Sequence, residues 1–207
     1  MILNSIKKQI IKYGDIIDAK GFSPGTSGNI SVRTEKGILI TSSGSSNGSL
    51  CNDDLILIDY EGNLIKGKNK PSSEKMLHVE FYKMRPDIKA IIHVHPPFLS
   101  AFASARKSLE APIMAENIYY FGKIPLADYA MPSSWQLVQN TSKYFDKHDA
   151  VLMANHGFIV GETNIQQAYL KLELAESYAQ VVLNTELLGG PVLLSPEEVA
   201  EIEALRG

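Results

Sequence analysis

The apolar residues of this chain fall into short runs, and turn-forming residues close almost every one. Residues 30–33 and 38–41 flank a turn at Lys36-Gly37. Residues 55–59 and 63–66 flank Glu61-Gly62, the pattern of a β-hairpin. Residues 150–154 and 158–160 lie on either side of Asn155-His156-Gly157. Strands joined by such tight turns pair antiparallel. A further strand is expected over residues 87–95, closed by Pro96-Pro97, and a weaker one at 124–127.

Between these runs the period changes to that of a helix. Ile6, Ile10, Tyr13 and Ile17 mark an amphipathic first helix ending near Gly21. Pro71-Ser72-Ser73-Glu74 opens a helix to about Met84, with a serine near the N-cap. A short helix follows Pro97 to about Ala105, and Ser133 or Ser134 starts another. Thr163-Asn164-Ile165-Gln166 reads as a capping box for a long helix to about Leu188. Ser195-Pro196-Glu197-Glu198 begins the last helix, with proline at its first position. Residues 110–130 carry no clear period apart from the weak strand. The 207 residues suit a single domain, 1–207. Hairpins in runs, with helices at both ends and between, predict a three-layer α/β/α fold around a largely antiparallel sheet.

The net charge of −3, without any Lys/Arg block, offers nothing general to nucleic acid. No apolar run approaches transmembrane length, and the N-terminus is too interrupted for a signal sequence. The single cysteine, Cys51, excludes an internal disulfide and a cysteine-based zinc site. It suits a cytoplasmic protein.

Of the five histidines, three sit at strand ends: His93 and His95 in His93-Val94-His95, and His156 in the Asn-His-Gly turn. Positions i and i+2 of a strand share a face, so His93 and His95 project together. Three imidazoles suit zinc and leave one tetrahedral position open to substrate. Singly the signals are weak, since strand histidines often only hydrogen-bond and Asn-His-Gly also reads as a plain turn. His78, on the helix after Glu74, and His148, in a polar stretch, read as packing or solvated residues. Three loops of small residues, Gly28-Asn29, Ser42-Ser43-Gly44 and Ser72-Ser73, present hydroxyls, an amide and backbone N–H groups that suit a phosphate. Taken one at a time, each reads equally as a turn or a cap. Glu74 either favours a helix dipole or serves as a general base.

Taken in order, Gly28-Asn29, Ser42-Ser43-Gly44, Pro71-Ser72-Ser73-Glu74, His93-Val94-His95 and Asn155-His156-Gly157 resemble the class II aldolase family related to L-fuculose-phosphate aldolase. The resemblance implies one zinc per chain on His93, His95 and His156. It implies that Glu74 contacts the metal at rest and acts as acid and base. Gly28, Asn29, Ser43, Gly44, Ser72 and Ser73 would cradle a substrate phosphate. The implied reaction cleaves a deoxy-pentulose or deoxy-hexulose 1-phosphate to dihydroxyacetone phosphate and an aldehyde. The implied assembly is a homotetramer with active sites at subunit interfaces. Within the same family, a ribulose-phosphate 4-epimerase or a methylthioribulose-phosphate dehydratase is the alternative, and an adducin-like head domain is the non-enzymatic one. Two departures stand out: Ser43 replaces a threonine, and Met114 falls where the fuculose enzyme has a tyrosine that handles the aldehyde. Tyr119, Tyr120 and Tyr129 are the candidates to replace it, although Tyr119-Tyr120-Phe121 also reads as interface packing.

Overall fold

The hairpins, laid edge to edge, form one eight-stranded sheet. The computed structural model describes residues 2–205. Its strands are β1 Asn29–Thr34, β2 Gly37–Thr41, β3 Leu55–Ile58, β4 Leu64–Lys66, β5 Ala90–Val94, β6 Leu126–Ala127, β7 Ala150–Met153 and β8 Gly157–Glu162. Their order is β4-β3-β2-β1-β5-β8-β7-β6. Every pairing is antiparallel except that of β6 with β7. The helices are α1 Ile2–Ala19, α2 Lys75–Met84, α3 Pro97–Ser104, α4 Ala115–Phe121, α5 Trp135–Ser142, α6 Ile165–Leu187 and α7 Pro196–Ala204. Among the described residues no helix is long and apolar enough to cross a membrane.

Apart from the exposed edge strand β4 and one polar face of β1, the strands are apolar on both faces because both faces are covered. Ile30, Ile92, Val94, Phe158 and Val160 pack against Ile10 and Ile17 of α1, Leu99 of α3 and Leu172 of α6. Ile40, Ile56, Ile91, Val151 and Ile159 face the other way, onto Leu77 and Phe81 of α2 and Leu137 of α5. This is the three-layer α/β/α arrangement that the hairpin pattern predicts.

Several boundaries differ from the sequence expectation, each for a local reason. The strand expected over 87–95 is limited to Ala90–Val94, and His95 lies one residue beyond it. The long helix is capped by Asn164, whose side chain accepts from Gln167 N–H, rather than by Thr163. The N–H of Thr163 turns back to the Glu162 carboxylate at 2.6 Å. Glu74 occupies the N-cap position of α2 but makes no side-chain capping bond. Instead, Ser72 Oγ accepts the Glu74 N–H at 3.2 Å. The stretch without clear period contains α4, too short to show a helical repeat. The Ser195/Glu198 capping box of α7 forms as expected.

The start of α3 is held from outside. Glu176, buried on α6, accepts the N–H of Phe98 and of Leu99, each at 2.8 Å. Burial raises its carboxyl above the ordinary value, and the two N–H bonds oppose that rise. Because α3 follows His95-Pro96 directly, this contact also fixes where β5 ends. Glu176→Ala leaves two helix-start donors without their partner and should cost about 1–3 kcal/mol. Urea unfolding checks this: the midpoint should fall at an unchanged slope.

Candidate active site

Strand alternation decides which side chains meet. Ala90, Ile92 and Val94 of β5 face α1, α3 and α6, so Ile91 and His93 face α2. His95 has the parity of His93 and lies just past the strand, with its N–H bonded to Phe22 O at 3.0 Å. His156 arrives on the turn between β7 and β8. Asn155 takes a left-handed φ of 52° there, a conformation asparagine tolerates. The turn is fastened to the end of α3, because Asn155 N–H donates to Ala103 O and Arg106 Nε donates to Asn155 Oδ1, both at 3.0 Å.

The three rings converge. Centroids lie 5.0 Å apart for His93–His95, 4.8 Å for His93–His156 and 5.1 Å for His95–His156. Their ligand nitrogens all lie within 4.8 Å of one another. His93 Nδ1–H donates to Phe158 O at 2.9 Å, so its Nε2 is the atom that faces the cluster. That Nε2 is 3.3 Å from His95 Nε2. Gly157 makes the approach possible, since a Cβ there would sit 2.4 Å from His95 Cδ2.

Glu74 closes the cluster. One carboxylate oxygen lies 3.1 Å from His93 Nε2 and the other 3.4 Å from His156 Nε2. Burial alone would raise its carboxyl, but the charge and hydrogen bond of His93, then His156, outweigh it and hold Glu74 far below the carboxylate range. His95 is pushed down to about 3 and His156 to about 4, first by burial and then by the charge of His93. Burial opposes protonation of His93 as well, but Glu74 overcomes it and raises the net value. Glu74 Oε1 is buried without a hydrogen-bond partner among the described residues. Three imidazoles converging beside a carboxylate oxygen that lacks a hydrogen-bond partner fit a divalent cation of borderline softness, which would take the place of the proton that His93 shares with Glu74.

The small-residue loops adjoin this cluster. Asn29 is the cross-strand partner of His93. Its amide Nδ2 donates to Glu74 Oε2 at 3.1 Å. Gly28 has φ 77°, and a Cβ on it would lie 2.6 Å from His93 O. The other two loops are sewn together: Ser43 N–H donates to Lys70 O at 2.9 Å, and Ser72 N–H to Thr41 O at 3.0 Å. Ser43 thus offers its hydroxyl rather than its N–H. Ser43, Gly44 and Ser73 are exposed, and Ser72 is buried two residues before Glu74. Ser133, read from the sequence only as a helix-start candidate, donates its hydroxyl to Ser73 Oγ at 2.8 Å. Met114 is the N-cap of α4, and Tyr119, Tyr120 and Tyr129 are exposed. His148 is half-buried, with Nδ1 on Lys123 O. His78 is fully buried and reaches Asn29, a contact the packing reading did not anticipate.

Residues 8–183 match the family described as Class II Aldolase and Adducin N-terminal domain. The chain belongs to this family. It is 33% identical over 205 residues to the 5-deoxy-D-ribulose 1-phosphate aldolase of Bacillus thuringiensis serovar kurstaki, covering 98% of this chain and 95% of that one. It is 32% identical over 206 residues to the L-fuculose phosphate aldolase of Escherichia coli K12, covering 96% and 93%. A solved L-fuculose 1-phosphate aldolase superposes with a TM-score of 0.91 at 31% identity, over 97% of this chain and 95% of the other. The class II aldolase fold is therefore shared along nearly the whole length.

Two outcomes follow from the geometry. Gly157→Ala should displace the His95 ring and lower the affinity of the three-histidine cluster for added divalent metal by roughly 10–100-fold, read by competition with a chromophoric chelator; unchanged affinity would show that the ring is free to move. The second concerns pH. Burial, then the charge of His93, pushes His78 down to about 3 from its ordinary 6.5. Between those values the unfolded chain binds a proton that the folded protein refuses, so stability falls as pH falls. The raised His93 contributes fully below 6.5 and does not mask the loss. Thermal melting of metal-free protein should drop steadily from pH 7 toward pH 4, and a flat profile would contradict the assignment.

Proposed function

We propose that this chain is a zinc-dependent aldolase that cleaves a deoxy-pentulose or deoxy-hexulose 1-phosphate to dihydroxyacetone phosphate and an aldehyde. The observation that carries the reading is Glu74, whose carboxylate lies between three converging histidines and the Asn29 amide. It is a proton-transfer group set between a cation site and an anion cradle. The names of the relatives support it, since both the deoxyribulose and the fuculose enzymes are aldolases of ketose phosphates.

His93, His95 and His156 would hold the metal. Bound there, zinc supplies Lewis-acid stabilisation of the negative charge that develops on the substrate oxygens as the carbon–carbon bond opens. Gly28, Asn29, Ser43, Gly44, Ser72 and Ser73 grip the phosphate through hydroxyls, an amide and backbone N–H groups, aided by the start of α2. That grip fixes the reacting carbon relative to Glu74. In the condensing direction Glu74 takes a proton from the hydroxymethyl carbon of dihydroxyacetone phosphate; in cleavage it returns one. No lysine Schiff base is required. A non-catalytic head domain would have no need of three converging histidines.

Tyr119 and Tyr120 on α4, together with Leu187 and Leu188 at the end of α6, are exposed apolar surface. A homotetramer would cover such surface and bring a neighbouring chain to the aldehyde end of the site. The exposed thiol of Cys51 suits a reducing cytoplasm.

The direct test is zinc-dependent exchange of the hydroxymethyl proton of dihydroxyacetone phosphate, which needs no aldehyde and so no knowledge of the sugar. Wild-type protein should catalyse it. Glu74→Gln should slow it by roughly two to four orders of magnitude while phosphate binding survives. Exchange at the wild-type rate in the variant would remove Glu74 from the reaction. A panel of ketose 1-phosphates, monitored for dihydroxyacetone phosphate release, then selects the sugar.

A further inference from the structure

An ionised carboxylate only accepts hydrogen bonds, and that fact orients a line of buried side chains behind Glu74. Asn29 must turn its amide nitrogen toward Glu74 Oε2, 3.1 Å away. Its amide oxygen is thereby aimed at His78 Nε2, 2.5 Å away. An amide oxygen only accepts, so His78 carries its hydrogen on Nε2. His78 is fully buried and held neutral, which leaves Nδ1 as an acceptor. Nδ1 then takes the hydroxyl hydrogen of Ser31 at 2.7 Å, and Ser31 Oγ accepts from Tyr82 at 2.9 Å. Tyr82 has Lys89 O as a weaker acceptor at 3.5 Å. Arg33 anchors the far end, with its guanidinium 4.8 Å from the Tyr82 ring centroid and bonded to the Tyr82 carbonyl. Every hydrogen in the line points toward Glu74.

The line is built by two periodicities that meet. Asn29, Ser31 and Arg33 share one face of β1, and His78 and Tyr82 share one face of α2. Beside His78 and Tyr82, Leu77 and Phe81 of α2 belong to the buried apolar core. Burying a histidine there costs solvation unless both nitrogens are satisfied, and here both are. Simple packing does not require that arrangement.

We propose that His78 is a positioning residue that locks the Asn29 amide in the one orientation able to serve both Glu74 and the substrate phosphate. An asparagine amide rotates easily about its last torsion. Flipped, it would set its oxygen against the Glu74 carboxylate and its NH2 against the N–H of His78. The Nε2–H of His78 excludes that flip. One amide hydrogen then holds Glu74, and the second is left for a phosphate oxygen. The proton-transfer group and the phosphate grip are thus coupled through a single side chain. The inference rests on the aldolase reading for its consequence, but not for its geometry.

The test compares three replacements. Gln places its amide nitrogen where His78 Nε2 stands; Asn reaches only the Nδ1 position; Leu fills space without a donor. In 1H–15N spectra of metal-free protein, the Asn29 side-chain amide should give two separated, slowly exchanging hydrogens in wild type and in His78→Gln. The pair should broaden in His78→Asn and His78→Leu. With zinc bound, saturated proton exchange on dihydroxyacetone phosphate should fall by roughly 10–100-fold in the Asn and Leu variants and recover in the Gln variant. A packing role predicts instead that Leu performs at least as well as Gln. Wild-type amide signals and rates in His78→Asn and His78→Leu would overturn the proposal, and should Leu fail to fold, the Asn and Gln pair decides. If wild-type protein catalyses no exchange at all, the aldolase reading falls and the amide spectrum alone decides the positioning.

Discussion

The pairing of β1 with β5, with Asn29 opposite His93, is the constraint on which the site depends. These two strands lie at the middle of the sheet, covered on both sides. A slip of one residue would send His93 into the packing of α1, α3 and α6 and turn Asn29 away from it. The register is held by what it buries: Ile30 and Ile92 must point one way for Ser31 and Ile91 to point the other. Apolar burial, a nonspecific force, thus sets a polar geometry that tolerates no shift.

Much of the layout was legible because it follows from period and punctuation. The first helix could be read from Ile6, Ile10, Tyr13 and Ile17, the hairpins from their glycine turns, and the last helix from Ser195 and Glu198. The histidines could be read because His-x-His on an apolar strand projects two ligands on one face. What escaped is equally physical. Seven residues of α4 make two turns, too few for a repeat to emerge. Asn164 caps α6 with its own side-chain oxygen, while the N–H of Thr163 bonds to Glu162, a detail set by side-chain rotamers. His78 looked like packing because both of its partners, Asn29 and Ser31, lie on β1, far from it in sequence. The signal was present: Asn29, Ser31 and Arg33 alternate along a strand whose neighbours are apolar on both faces. It becomes visible only once α2 is laid over that face.

Glu74 shows how a local rule yields to the site. It stands at the N-cap of α2, where a side chain ordinarily accepts from its own helix. Here the carboxylate leaves the helix and turns to His93 and His156. Ser72 accepts the Glu74 N–H in its stead, which is one reason a serine sits two residues ahead. The loop that carries Ser72 is tied to the loop after β2, so the carboxylate rests on the same support as the hydroxyls of Ser43 and Ser72.

The line from Tyr82 to Glu74 has a meaning for descent. Each member is justified only by the next, and the last by the chemistry. In a duplicated copy of this domain released from that chemistry, Ser31, Asn29 and His78 become buried polar atoms with nothing to serve. Selection for folding alone would then replace them with aliphatic residues, and not one at a time, because each loss orphans a neighbour. The histidine of α2 and the asparagine of β1 should therefore be kept or abandoned together, and their joint presence in a sequence would mark a lineage that still works for its living.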